Sequence, residues 1–446
     1  MIRRLGRASG GGASTTRRKR GLACLAVGLG LGAASVLADE LPTVAEQLRA
    51  AEAFLARGRL DEAETIVAPL RQAQHPELQA LFLSGMIYVA RGRYEEAAAA
   101  FRTMLARDPT LLRPRLELAR ALYLAHDYQS ARYHFEQALA AALPDTVREN
   151  VLAYISAIRN RVPSFVMSLD IVSDSNPKQA TSSRYVEIGG QTFRLNDDAR
   201  AQEGYGLVAT LQGKLPLPSD PTWYLAGFGE LYDYSARDLD QLYLQALGGK
   251  HFPGTKHEFN LEAGVHYGAY QGKSLYQGAA ARLGYAVRLR PSVLLTAMLD
   301  TREFDYVDYT YLSGWQFAQN VELRYAISTD RSVRPSLFFI QHDADEAPYA
   351  YDAIGMGLRY IQEWKGGWIA GLYAQYGASK YRDADILAGV TRHDVEWRAE
   401  LTLTNRLLTL RGFAPRLALG AVERTSNIDL YTFDRRYVRV GFTREF

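Results

Sequence analysis

The chain of 446 residues has a formal net charge of +3 and one cysteine, Cys24. Seven basic residues and no acids occupy the first 20 positions, so loss of that segment leaves a net charge of −4 and removes the electrostatic footprint of a nucleic-acid partner. Loss of the only thiol likewise excludes disulfides, thiol nucleophiles and cysteine metal sites from the remainder.

The elements follow in chain order. Arg3, Arg4, Arg7, Arg17, Arg18, Lys19 and Arg20 precede the run "GLACLAVGLGLGAASVLA", which ends at Ala38 before Asp39 and Glu40. A basic start, a short apolar run and a small-residue cleavage site predict a secretory signal peptide over 1–38. A membrane anchor is the weaker reading, because so Gly-rich a run is only weakly apolar. Beyond Ala38 no run of 18 apolar residues follows, so no ordinary transmembrane helix is predicted.

Residues 39–161 repeat. "ARGRLDEAE", "ARGRYEEAA" and "LAHDYQSAR" place Ala63, Ala97 and Ala131 at intervals of 34, and Val67, Phe101 and Phe135 likewise. Ala51, Gly85 and Ala119 recur in the preceding segments, and Leu81, Gly85, Tyr88, Ala97, Phe101 and Pro109 fall on tetratricopeptide positions. This period predicts three helix–turn–helix pairs in a short α-solenoid, closed by a capping helix in "PDTVRENVLAYISAIRNRV". The small residues let paired helices approach, and the aromatic fills the space beside them. Such an array offers a concave groove for a peptide or protein; a rigid spacer is the alternative.

At Val162-Pro163 the period changes to two. In "HDVEWRAELTLTN", Val395, Trp397, Ala399, Leu401 and Leu403 share one face, and Asp394, Glu396, Arg398, Glu400 and Thr402 the other. All five Trp lie beyond Pro163, as aromatic girdles require. About fourteen such segments, with short turns ("PLPSD", "FPGTK", "RP") alternating with longer acidic connections ("SARDLD", "HDADEAPYA"), predict a 14-stranded antiparallel transmembrane β-barrel over 162–446. The last strand puts Val438, Val440, Phe442 and Phe446 on one face, with Arg444 as a misfit. It must pair with the first strand, because lipid tolerates no open edge. Phe442 and Phe446 resemble the C-terminal signal read by barrel-insertion machinery.

Catalytic and cofactor motifs are absent. "YGAYQGKS" lacks the first Gly of a phosphate loop and reads as an outer hairpin. "HDADE", from His342 to Glu346, reads as an acidic surface loop before a calcium site. The chain is therefore not expected to be an enzyme or to hold a metal. Glu258, Glu262, Arg282, Arg288, Glu396 and Arg398 are expected to face the lumen, where two readings stand: the lining of a translocation path, or ion pairs that fill the interior.

At the junction stands "SFVMSLDIVSDSNPKQAT", residues 164–181. With a leader and repeats before it and a barrel after it, the chain resembles the surface lipoprotein assembly modulator family (Slam, type XI secretion). The family's strand-one "SN…A(T/S)" element falls here on Ser175, Asn176, Ala180 and Thr181, next to Asp174; Pro177-Lys178 replaces its Asn-rich middle. The resemblance implies a periplasmic tetratricopeptide domain joined to an outer-membrane translocon. Its partners would be a client lipoprotein or secreted protein, barrel-insertion machinery and the bilayer. Alternatives are a repeat-and-barrel exopolysaccharide exporter and a porin with an assembly domain.

Overall fold

The computed structural model describes residues 42–444, apart from 74, 75, 189, 255, 411 and 412. The expected leader 1–38 with Cys24, the start of the repeat segment at 39–41, and Phe446 lie outside the described residues.

Seven helices come first: α1 (Val44–Ala56), α2 (Leu60–Gln72), α3 (Leu78–Ala90), α4 (Tyr94–Arg107), α5 (Leu112–Leu124), α6 (Tyr128–Ala138) and α7 (Asp145–Arg161). Ala51, Ala63, Val67, Ala97, Phe101, Ala119 and Ala131 are all fully buried, and Phe135 nearly so. The small–large pairing is direct. A methyl group on Gly85 would stand 2.5 Å from the Phe101 ring, so only glycine lets α3 come this close to α4. Full burial of Phe101 contributes roughly 1.5–3 kcal/mol. Tyr88 is half-buried and sandwiched by guanidiniums, Arg71 at 5.3 Å and Arg93 at 4.7 Å from its ring centre. The capping helix α7 stacks Tyr154 on Phe135, centroids 4.9 Å apart and planes 11° from parallel. The period also sets how each first helix ends. Gly58, Gly92 and His126, again 34 apart, all have positive φ, 72°, 73° and 62°.

Sixteen strands follow: β1 (Ser164–Asp174), β2 (Tyr185–Ile188), β3 (Gln191–Arg194), β4 (Gly204–Pro216), β5 (Trp223–Tyr234), β6 (Gln241–Phe252), β7 (His257–Tyr270), β8 (Lys273–Arg290), β9 (Val293–Tyr306), β10 (Gly314–Ser328), β11 (Arg331–Ala344), β12 (Tyr351–Trp364), β13 (Trp368–Ala384), β14 (Thr391–Asn405), β15 (Ala414–Ser426) and β16 (Phe433–Thr443). Fourteen form a closed antiparallel barrel, β1 and β4 to β16, in which β1 pairs with β16. The other two, β2 and β3, make a separate hairpin in the first long connection. Its tetrapeptide strands lie outside the barrel period, and Ile188-Gly-Gly-Gln191 was the hairpin signal.

Alternation along each strand separates two environments. Ile171, Leu211, Val265, Leu337, Ile354, Val440 and Phe442 point outward and remain more than half exposed, as does Trp397. Trp364 and Trp368 oppose each other on the last rung of β12 and β13; Trp315 stands at the opposite end of the wall, second residue of β10. A closed barrel with an apolar exterior and aromatic rims is an outer-membrane barrel, since its only comfortable solvent is lipid. An even number of strands returns both barrel ends to one side, and the helices sit against the short turns of that same side, the periplasmic one. "YGAYQGKS" forms the β7–β8 hairpin, with Gln271 and Gly272 both at positive φ, 55° and 70°, the geometry of a two-residue hairpin turn. In "HDADE", Asp343 is paired with Arg382.

Candidate functional site: the seam between the first and last strands

β1 pairs with β4 along its whole length, from Ser164 opposite Lys214 to Asp174 opposite Gly204. Towards β16, among the described residues, it pairs over 168–174, against 437–443. Among the described residues, the periplasmic end of β1 (164–167) has one further bond to that side, from the Arg444 amide to the Met167 carbonyl at 3.1 Å.

The outer end is clasped by the strand-one residues. Asp174 is fully buried between β1, β5 and β16. Its carboxylate accepts from Arg435 Nη2 at 2.6 Å and from Arg435 Nε at 3.0 and 3.1 Å. Tyr234 OH donates to it at 3.1 Å and the Asn176 amide at 3.0 Å. Ser175 continues the ladder beyond the strand: its amide donates to Arg436 O at 2.9 Å, and its Oγ accepts from the Arg436 amide at 2.8 Å. Asn176, also buried, reaches both ways. Its Nδ2 donates to Asp434 O at 2.9 Å and Ala180 O at 2.8 Å, and its Oδ1 accepts from the Ala180 amide at 3.1 Å. The three adjacent residues therefore tie strand one to strand sixteen and fold back the loop that follows. Thr181 is buried, and its carbonyl accepts from the Ala201 amide at 2.9 Å. Pro177 packs against Gly204, where a methyl group would come within 2.8 Å of its ring.

Nearer the periplasm, Asp170, the next inward carboxylate of β1, is buried and stands 3.5 Å from Arg416. Arg439 donates to Tyr232 OH at 2.9 Å and stacks over Tyr437, whose hydroxyl donates to Glu400 at 2.7 Å. The buried side-chain clasp of the seam thus stands at its outer end.

The six charged lumen candidates all stand at inward-facing positions. Arg282 bridges Glu262 at 3.2 Å and Asp300 at 2.8 Å, and Tyr224 OH donates to Glu262 at 2.8 Å. On the other wall, Glu396 takes Arg424 at 2.6 Å and Arg398 at 3.0 Å. Glu258 and Arg288 lie at the periplasmic ends of β7 and β8, where Arg288 Nη1 donates to Pro291 O at 2.9 Å. Charge is therefore compensated within each wall. Sequence reasoning missed Arg435, Tyr234, Asp300 and Arg424, the partners that close these networks. Alternation put each of them on an inward face, but register alone makes them neighbours. Phe442, the described part of the C-terminal signal, faces outward and is 51% exposed. Among the described residues no cluster of three metal-binding side chains occurs.

Two family models match parts of the chain. Residues 164–446 match the family "Surface lipoprotein assembly modifier", and residues 88–150 match a tetratricopeptide repeat family. Surface lipoprotein assembly modifier 1 of Haemophilus influenzae is 22% identical, covering 80% of this chain and 75% of that protein. The protein of the same name from Neisseria meningitidis serogroup B is 24% identical, covering 84% and 78%. Among solved structures, the CymD monoaromatic hydrocarbon channel aligns with a TM-score of 0.37 at 8% identity, over 68% of this chain and 93% of that one. The family match spans the whole barrel, including the clasp at Asp174–Asn176, and the chain belongs to the surface lipoprotein assembly modifier family.

Proposed function

We propose that this protein is a non-enzymatic outer-membrane translocon that delivers particular client proteins, surface lipoproteins or secreted soluble proteins, from the periplasm to the cell surface. Family membership gives a role in surface lipoprotein assembly. The observation that carries the finer reading is the seam itself: seven described residues of pairing between β1 and β16, clasped at the outer end by Asp174, Ser175 and Asn176. A barrel opens sideways without breaking a covalent bond only where its first and last strands meet, and a backbone edge in lipid demands a partner. A client strand or an acylated segment that enters from the periplasm supplies one. The repeat helices hold the client on that side, and the final strand with Phe442 is the segment read by barrel-insertion machinery during assembly.

The test compares surface-labelled and secreted proteins from cells with and without the gene. One or a few proteins should vanish from the surface and accumulate in the periplasm. An unchanged surface proteome with loss of a polysaccharide or of small-solute uptake would overturn the reading in favour of an exporter or a porin.

A further inference from the structure

The helices meet the barrel through a polar cluster that the seam does not use. Arg115 of α5 has no exposed surface. It donates from Nη2 to Glu363 Oε2 at 2.7 Å and from Nη1 to Oε1 at 3.1 Å, and from Nη2 to Pro109 O at 2.6 Å. Glu363 is the penultimate residue of β12, at the periplasmic rim. Arg406, in the turn after β14, stands 3.5 Å from the same carboxylate, and its guanidinium lies 4.4 Å from the centre of the Tyr133 ring of α6. His134 of α6 sits between the two arginines. Its Nδ1 is 3.2 Å from Arg115 Nη1, and its Nε2 is 3.1 Å from Arg406 Nη1. Two further contacts reach other turns: the Gly366 amide donates to Ala106 O at 2.6 Å, and Thr329 Oγ1 to Thr110 O at 3.3 Å.

Three turns of one rim, after β10, β12 and β14, are therefore held by α4, α5 and α6. Among the described residues, the bonds that hold them are hydrogen bonds, two buried ion pairs that share Glu363, and the Arg406–Tyr133 ring contact. The apolar core of the repeats, around Phe101, Leu118 and Phe135, stays within the helices. Permanent interfaces are mostly apolar, whereas polar ones of modest size resemble contacts made to come apart. A buried ion pair adds little net stability against an apolar substitute, yet its loss on one side is costly. Such a dock fixes one geometry without binding strongly.

We propose that the repeat domain is a releasable cap on the periplasmic mouth of the barrel, latched by Arg115, Glu363, Arg406 and His134, and that translocation requires its release. The cap rests on the translocon reading for its purpose, but not for its geometry. It keeps the lumen closed to ions when no client is bound.

The test exploits the loss of the only cysteine with the leader. Cysteines are placed at Thr110 and Thr329, T110C with T329C, and joined as a disulfide or, where the sulfurs stand too far apart, by a short bismaleimide. The full chain is reconstituted in planar bilayers and is also expressed in cells. Locked protein should show at least tenfold fewer open-channel events than unlocked protein and at least tenfold less surface delivery; reductant should restore both for the disulfide. E363Q, which keeps shape but removes the anion, should raise open-channel events severalfold, with an unchanged heat-modifiable band as the folding control. Equal conductance and equal delivery with and without the lock would overturn the cap. A lock that switches conductance in a protein that delivers no client would leave the cap standing and sink the translocon reading instead.

Discussion

Asp174 and Arg435 lie 261 residues apart in sequence and meet at the outer end of the seam, with the shortest of three hydrogen bonds at 2.6 Å. Asp174 is buried and the Arg435 side chain is 13% exposed, and each belongs to one of the two strands that close the barrel. Asp174→Asn keeps the shape and loses the charge, leaving the Arg435 guanidinium uncompensated. Removal of one member of a buried pair costs about 3–5 kcal/mol. The expected outcome is a barrel that unfolds at lower urea and loses its heat-resistant band at lower temperature. Arg435→Gln should do the same, and the double variant should lose less than the sum of the two. Wild-type unfolding in Asp174→Asn would show that the pair does not hold the seam.

Gly85→Ala adds one methyl group against the edge of Phe101, where the added carbon would be 2.5 Å from the ring. The ring is fully buried and cannot swing into solvent, so α3 and α4 must separate. Overpacking of this kind costs about 1–3 kcal/mol. Thermal unfolding followed at a helical circular-dichroism wavelength should shift down. Gly85→Ala with Phe101→Leu should recover part of the loss, because the smaller side chain vacates the space. A variant with unchanged melting would refute the close approach as the reason for glycine.

The two periods, 34 residues and two residues, were legible because each is a local rule repeated many times. Ala63, Ala97 and Ala131 repeat one packing problem, and each barrel strand repeats the lipid–lumen alternation. The clasp was legible only as a string, Asp174-Ser175-Asn176, without a reason. Its partners Arg435, Arg436 and Asp434 become neighbours only when the barrel closes, and closure is a property of fourteen registers together. The same holds for Arg115 and Glu363, 248 residues apart. Nothing in α5 alone distinguishes Arg115 from Arg113 or Arg120, which are both exposed. The β2–β3 hairpin was missed for a different reason: its Gly-Gly turn was present, but the strands are too short to show a period.

His126 occupies the position that glycine holds in the first two repeats, with φ at 62°. A left-handed backbone costs a non-glycine residue about 1–2 kcal/mol. Part of that is offset by the contact of its Nδ1 with Tyr128 OH at 2.6 Å. His126→Gly should therefore stabilise the repeat domain by about 0.5–1 kcal/mol, read as a higher urea midpoint for the helical signal. A lower midpoint would mean that the bond to Tyr128 outweighs the strain.

His134 makes the cap sensitive to acid. Burial first, then the Arg406, Arg115 and Arg102 charges, hold the imidazole well below its ordinary value of 6.5. A neutral ring accepts from one of its two arginine neighbours; a protonated ring accepts from neither. The groups that face it are Arg102 of α4, Arg115 of α5, Tyr133 beside it on α6, Glu363 of β12 and Arg406 of the turn, one anion among three guanidiniums. Release takes Arg406 away from the ring, so the released state takes up a proton more readily than the docked state, and docking is stable at high pH and weakens as pH falls. Open-channel events in the reconstituted protein should therefore rise from pH 7.5 to pH 5.5. His134→Gln supplies an acceptor that does not titrate in this range, and it should flatten the profile while leaving the pH 7.5 level close to wild type. A profile that keeps its slope in His134→Gln would assign the pH response to another group.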